Sequence, residues 1–339
     1  MRTDYSASNY TVQMNILPIL NSAKTIWLST HKSADGDGLG SEIALYHALK
    51  NKNYPVKIIH NDPAPERYHF LLDGIEVLNA DKIDKNIFST EDVAFIFDTH
   101  DPKLCAPLFG FLQEIKAKTI FVDHHVVFES RIENIIYHIN ENASCTGEIT
   151  LDLIKKMNAE INPKIATALY TSLLFDTQNF KFQRDSIKVF DMAKELVLAG
   201  ANHSEIYSFL FDNWSINKMN YLSKLINDVT YKNNQIAIIS ITKADLREFN
   251  LNTDDVCDLV DLFMSVKNLE GSIVIREDAH NYFKLSFRSR NIEILSWARE
   301  FGGGGHLHSA GAWVHDSSEN ILKKINAQID ARKFSPLKT

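Results

Sequence analysis

Apolar runs of strand length alternate with longer segments of helical period through the first half of the chain. TIWLST (25–30), PVKIIH (55–60), VAFIF (93–97) and TIFV (119–122) are nearly all apolar, the pattern of parallel strands covered on both faces. SEIALYHALKNK (41–52) places Ile43, Leu45, Tyr46 and Leu49 on one helical face. From about Ser144 the period turns helical, in GEITLDLIKKM, KIATALYTSLLFD and SIKVFDMAKELVLAGA, with Asn162-Pro163 as a start signal and Gly200 as a stop. The first half therefore predicts a doubly wound α/β domain with a mostly parallel sheet.

The last third changes character. QIAIISIT, GSIVIRED and FKLSFRS read as strands, the last two joined by the polar turn DAHN, and SAGAWV as another. DVCDLVDLFMSVK and EILSWAREF read as helices. This predicts a smaller α/β domain with a mainly antiparallel sheet. The expected division is 1–200 for the first domain, 201–228 for a helical linker and 229–339 for the second, with the active site in the cleft between domains.

At 339 residues the chain has the length of two domains, and its 45% hydrophobic and 23% charged residues are ordinary for a globular protein. A net charge of −7 argues against a long phosphate-tracking surface, and so against long duplex nucleic acid as a partner. Cys105, Cys145 and Cys257 form no C-x-x-C pair and read as buried apolar residues of a reduced, cytoplasmic protein. No signal-peptide pattern opens the chain, and no run of about 18 apolar residues exists, so no membrane partner is expected.

The chemistry collects where strands stop. HKSADGDGLGS follows the first strand and carries His31, Asp35 and Asp37; FDTHD follows VAFIF and carries Asp98; VDHH follows TIFV and carries His124 and His125; FDT closes a helix at Asp176. Carboxyl ends of parallel strands share one edge, so these residues can meet. Singly, each is best read as a cap or surface residue; jointly they point to metal, because carboxylates about 4 Å apart repel by about 4 kcal/mol per pair at an effective dielectric near 20. Imidazole mixed with carboxylate, and no thiolate, suits Mn²⁺, Fe²⁺, Co²⁺ or Zn²⁺. Six candidate ligands fit two ions better than one.

Elsewhere, Gly302–Gly305 before His306 can form an anion-binding nest or a helix stop. Arg288, at a strand end, is a candidate phosphate ligand, whereas Arg290 reads as solvated surface. Asn142, Ser144 and Thr146 read as caps of the helix that follows them.

VDHH, the HKSADGDGLGS loop, FDTHD, FDTQNF and GGGGH, in this combination, resemble the DHH phosphoesterases carrying a DHHA1 C-terminal domain, most closely the nano-RNase/pAp-phosphatase subfamily. The likeness runs from about Ile16 to Ile329. It implies one ion held by His31, Asp35 and Asp98 and a second by Asp37, Asp98, His124 and Asp176, most simply both Mn²⁺. Asp98, Asp37 and His125 would then act at the reaction itself, with His125 facing the scissile phosphate. Arg288, Gly303, Gly304, Gly305 and His306 would hold the substrate's terminal phosphate or nucleotide. Ala34 stands where the family usually has proline, which bears on loop rigidity rather than on the ligands.

The expected activity is hydrolysis of short oligoribonucleotides, linear dinucleotides such as pApA, or 3′-phosphoadenosine 5′-phosphate (pAp) to mononucleotides, by a metal-activated hydroxide. The competing readings are an inorganic pyrophosphatase or exopolyphosphatase and a non-catalytic nucleotide-binding regulator. The glycine–histidine motif disfavours the pyrophosphatase branch of the first, and the intact set of six ligands disfavours the second. A longer-chain exonuclease with an OB-fold and a sensor-linked cyclic-dinucleotide phosphodiesterase would need domains this sequence does not carry. The choice between monomer and homodimer stays open.

Overall fold

The computed structural model describes residues 15–125, 132, 135–212, 214–257, 259–305 and 307–331. It divides into two compact units, Met1–Asn213 and Trp214–Thr339. In the first unit, helix α1 (Ile16–Ser22) leads into strand β1 (Ile26–Thr30), helix α2 (Gly36–Asn51) and strands β2 (Val56–His60), β3 (Val77–Asn79) and β4 (Val93–Phe97). Helix α3 (Leu108–Glu114), strands β5 (Lys118–Asp123) and β6 (Ile135–Ile139) and helices α4 (Thr146–Lys156), α5 (Pro163–Asp176), α6 (Ser186–Leu198) and α7 (His203–Phe211) follow.

The six strands form one sheet in the order β3-β2-β1-β4-β5-β6, every pair parallel. The order reverses between β1 and β4, which pair from Ile26↔Val93 to Thr30↔Phe97. Every residue of β1 and β4 is buried because the sheet is covered on both sides. Leu28, Phe95, Phe97, Ile120 and Val122 pack with α2, α4 and α5, and Trp27, Ile96 and Phe121 pack with α3 on the opposite face. The predicted doubly wound domain is the observed one.

Two edge strands escaped the sequence reading. β3 is three half-buried residues, and β6 reads IIYHI with its first two residues only half-buried, so neither carries a strong apolar run. The helical signals fared better: Asn162 Oδ1 accepts the Ile165 N–H at 3.0 Å to cap α5, and Gly200, at φ 105°, ends α6.

α2 and α5 pack closely through Gly40. A Cβ there would lie 2.4 Å from the carbonyl oxygen of Ala168, so only glycine permits this approach. The crossing sets the carboxyl end of α5 against the amino end of α2.

The second unit comprises α8 (Ile216–Asp228), β7 (Thr230–Lys232), β8 (Ile236–Ile241), α9 (Lys243–Glu248), α10 (Leu259–Phe263), β9 (Gly271–Ala279), β10 (Tyr282–Ser289), α11 (Leu295–Glu300), β11 (Gly304–Gly305), β12 (Ser309–His315) and α12 (Ser318–Asp330). Its sheet runs β11-β12-β10-β9-β8-β7 and is antiparallel except for β8 beside β9. Phe283, Leu285 and Phe287 of β10 pack under α11 and α12, while Ile239 and Val274 pack with α8 and α10 on the other face. Cys105 and Cys145 are buried as expected; Cys257 is exposed, which corrects the reading of all three as core residues.

Candidate metal centre

Each candidate ligand of the first unit is placed by a backbone feature next to the strand-order reversal. β1 ends at Thr30 and delivers His31. Ser33 then takes a left-handed φ of 55°, and its N–H donates to Asp62 Oδ2 at 2.7 Å, which turns the loop back toward the sheet. Asp35 caps α2, its Oδ1 accepting the N–H groups of Asp37 (3.0 Å) and Gly38 (3.2 Å). Asp98 follows β4 directly with φ 59°, held by its own N–H to the Val122 carbonyl at 2.9 Å. Asp176 is the last residue of α5.

The side chains converge. His31 Nε2 lies 3.5 Å from Asp98 Oδ2 and 3.9 Å from Asp35 Oδ2. His124 Nε2 lies 3.5 Å from Asp37 Oδ2, 3.5 Å from Asp176 Oδ2 and 3.8 Å from Asp98 Oδ1. Both rings are oriented through Nδ1, which faces a backbone carbonyl: Lys32 O at 2.7 Å for His31 and Ala143 O at 3.2 Å for His124. A carbonyl only accepts, so Nδ1 carries a proton in both rings, and Nε2 is the atom turned toward the carboxylates, where a cation would meet it.

Three groups of donor atoms lie within 4.8 Å of one another: His31, Asp35 and Asp98; Asp37, His124 and Asp176; and Asp98, His124 and His125. The first has the residues of one set implied by the sequence resemblance; the second has those of the other set without Asp98, which groups instead with His124 and His125. Burial, then the carboxylates of Asp37 and Asp35, push Asp98 up to about 8, and burial with Asp37 holds Asp176 well above the usual carboxylate range. Asp98 and Asp176 thus favour taking up a proton or meeting a cation, and carboxylate–imidazole sets of this kind suit divalent transition-metal ions.

Asp37 has a second set of partners. Its Oδ2 accepts the Thr146 N–H at 2.8 Å, and its Oδ1 accepts the Gly147 N–H at 3.3 Å and the Ser172 hydroxyl. The carboxylate therefore caps α4 from another element. This corrects the reading of Asn142, Ser144 and Thr146 as caps: the cap position is Cys145, with no side-chain bond; Ser144 Oγ accepts the Arg184 N–H and Thr146 Oγ1 donates to Asp98 Oδ1 at 3.1 Å.

His125 is positioned by Asp123, a residue to which the sequence reading gave no role. Asp123 is fully buried; its Oδ1 accepts the backbone N–H groups of His124 and His125 and lies 2.8 Å from His125 Nδ1, while Oδ2 faces His100 Nδ1 at 2.5 Å. Burial works against charge on His125, but Asp123 overrides it and raises the imidazole to about 10. His125 Nδ1 is also 3.5 Å from Asp98 Oδ1. The sequence signals missed were the carboxylate beside a His-His pair and Ser172, one helical turn before Asp176.

The remaining candidates belong to the second unit. Arg288 Nε donates to Asp261 Oδ1 at 2.8 Å and Nη1 to the Phe287 carbonyl. Gly302 and Gly303 spend their N–H groups on the carbonyls of Arg299 and Ala298, ending α11, and Gly304 and Gly305 pair with β12. A Cβ at Gly303 would meet Gly311 O at 2.1 Å and one at Gly305 would meet Ser309 O at 2.6 Å, whereas Gly302 and Gly304 face open space. His306 lies outside the described residues. Arg290 is exposed but not merely solvated: its guanidinium donates to the carbonyls of Met264 and Val266, which corrects the surface reading.

A parallel sheet that gathers carboxylates and imidazoles at its topological switch point has the form of a hydrolase built around divalent cations. Residues 25–173 match the DHH family, N-terminal domain, and residues 233–331 match the DHHA1 domain. The chain belongs to the DHH family and is a DHH-family phosphoesterase carrying a DHHA1 domain.

Among curated relatives, it is 27% identical over 322 residues to the "Bifunctional oligoribonuclease and PAP phosphatase NrnA" of Thermus thermophilus, covering 90% of each chain. It is 25% identical to a "Membrane protein-large ribosomal subunit bL9 fusion protein" of Aster yellows witches'-broom phytoplasma, over 87% of this chain and 35% of that one, about a third of the relative's length. Among solved structures, an exopolyphosphatase-related protein from Bacteroides fragilis shares the fold at TM-score 0.85 and 24% identity, covering 93% of this chain and 94% of that one. No helix among the described residues is long and apolar enough to cross a membrane.

Proposed function

We propose that the protein hydrolyses short oligoribonucleotides, linear dinucleotides or pAp to mononucleotides, with two divalent cations, most simply Mn²⁺. The observation that carries the reading is Asp98, whose Oδ2 faces His31 at 3.5 Å while its Oδ1 faces His124 at 3.8 Å, one carboxylate reaching two ligand sets. The name of the Thermus thermophilus relative supports the choice of substrate.

His31, Asp35 and Asp98 would hold one cation, and Asp37, His124, Asp176 and Asp98 the other. Cations there would activate a water for in-line attack on phosphorus and neutralise the charge that develops on its oxygens. Asp35 and Asp37 cannot drift apart, because both carboxylates are fixed by backbone N–H groups at helix starts. Asp123 holds His125 through Nδ1, and the remaining N–H of that ring would meet the phosphate or the leaving oxygen. By the resemblance, Arg288, Gly303, Gly304, Gly305 and His306 would hold a terminal phosphate, which an arginine can grip in two places.

The test is a substrate panel with purified protein and Mn²⁺: pAp, pApA, RNAs of two to five residues, a long RNA and pyrophosphate. Preferential turnover of the short nucleotides supports the reading. Turnover of pyrophosphate alone would replace it with the pyrophosphatase alternative.

A further inference from the structure

A second polar cluster of the first unit takes no part in the ligand sets. At the carboxyl end of β2, His60 is 4% exposed, and its Nε2 lies 2.7 Å from Oε2 of Glu42, which is fully buried on α2. The other imidazole nitrogen, Nδ1, has no hydrogen-bond partner among the described residues, and neither has Glu42 Oε1. A buried polar atom without a partner is costly to keep, and a native fold that retains one commonly has a use for it.

His60 lines a cavity of about 260 Å³ together with Asp62, His69, Leu72, Val77 and Leu78. The cavity opens at the carboxyl ends of β2 and β3, on the sheet edge that carries His31 one strand away. Asp62 ties it to the ligand loop, because the carboxylate that borders the cavity also holds the N–H of left-handed Ser33, midway between His31 and Asp35.

We propose that this cavity is a nucleobase subsite, receiving the base of a nucleotide whose phosphate lies at the candidate metal centre; it rests on the phosphoesterase reading above and adds to it where the base goes. The volume lies below the roughly 300–1,000 Å³ of sites for drug-sized ligands, and so suits a ring system rather than a whole nucleotide. Leu72, Val77 and Leu78 supply apolar surface for the faces of a planar ring, while Asp62 and His69, whose Nε2 faces the Ala64 carbonyl at 3.1 Å, border the space with polar groups for its edge. A phosphate is the poorer occupant, since Asp62 borders the space and Glu42 stands behind His60, and both would repel an anion.

The experiment titrates millimolar adenosine, guanosine, cytidine and uridine into the full-length, metal-free protein and follows the imidazole ring-proton NMR signals of His60 and His69. At least one nucleoside is expected to shift both signals along a single saturation curve. Leu72→Trp, which fills the cavity and touches no candidate ligand, abolishes the shift and raises KM for pApA about tenfold or more, the scale of losing one stacked base, while bis-p-nitrophenyl phosphate hydrolysis is unchanged. Should Leu72→Trp misfold, Ala64→Leu narrows the same cavity, which Ala64 also lines. Wild-type signals that no nucleoside moves, or shifts that survive in both filled variants, overturn the subsite. Nucleosides carry no phosphate ester, so binding without turnover of any phosphate substrate would overturn the phosphoesterase reading and keep the cavity as a base site.

Discussion

The Thr146 backbone N–H donates to Asp37 Oδ2 at 2.8 Å, across 109 positions of sequence, and the Thr146 hydroxyl donates to Asp98 Oδ1 at 3.1 Å. One residue at the start of α4 thus fixes two carboxylates that the sequence places on separate strand ends. Burial and neighbouring carboxylates still raise Asp98 and Asp176. The remaining repulsion leads to the first three predictions.

Asp98→Ala should abolish turnover of every substrate while leaving the protein folded, because Asp98 is the carboxylate shared by both ligand sets. Steady-state rates in saturating Mn²⁺, with circular dichroism as the fold control, check this. Rates near wild type would end the two-cation model.

Cations should stabilise the fold. A ligand that binds only the native state adds about 2.7 kcal/mol at 100 times its dissociation constant, so chelation should lower Tm and Mn²⁺ should restore it. An unchanged melting curve after verified metal removal would count against close packing of the carboxylates.

The metal-free protein should lose stability as pH rises. Asp98 is raised to about 8 and Asp176 is raised well above its ordinary value, so the native state holds protons that the unfolded chain releases near pH 4. Their contribution is full below about pH 4 and is lost as pH climbs through the folded values. Asp35 and Asp123 are lowered instead, so their contribution is present above about pH 4 and lost only in stronger acid. Urea midpoints between pH 5 and pH 8 should fall without metal and hold steady with Mn²⁺.

Arg288→Ala should weaken nucleotide binding by about 1.5–3 kcal/mol, the scale of a charge-assisted hydrogen bond, and leave hydrolysis of bis-p-nitrophenyl phosphate nearly unchanged. Asp261→Asn is the control, since Arg288 already donates to Asp261. If Asp261→Asn reproduces the loss on nucleotides, Arg288 acts through that ion pair rather than on substrate.

Gly40→Ala should destabilise the first unit by about 1–3 kcal/mol, because the new Cβ would lie 2.4 Å from a carbonyl oxygen of α5 and force the helices apart. Separation there also moves Asp176 away from Asp37, so Mn²⁺ affinity should fall with stability. Isothermal titration and urea unfolding measure the two effects, and a neutral result on both would mean that the crossing tolerates a methyl group.

The sequence by itself determined the strands that carry the chemistry and the residues at their ends. β1, β4 and β5 are buried on both faces and so must be continuous apolar runs, and His31, Asp98 and His124 announce themselves where those runs stop. It also determined α5 and its terminal Asp176, through an Asn-Pro start. Only the tertiary structure decided that Asp37 caps α4, that Asp123 aims His125 and that His60 borders a cavity. Each of these depends on a hydrogen bond or a space between segments distant in sequence, and local propensity carries no record of such distances. The edge strands β3 and β6 were illegible for the same reason: half-buried residues are held there by pairing with a neighbour, not by their own hydrophobic pattern.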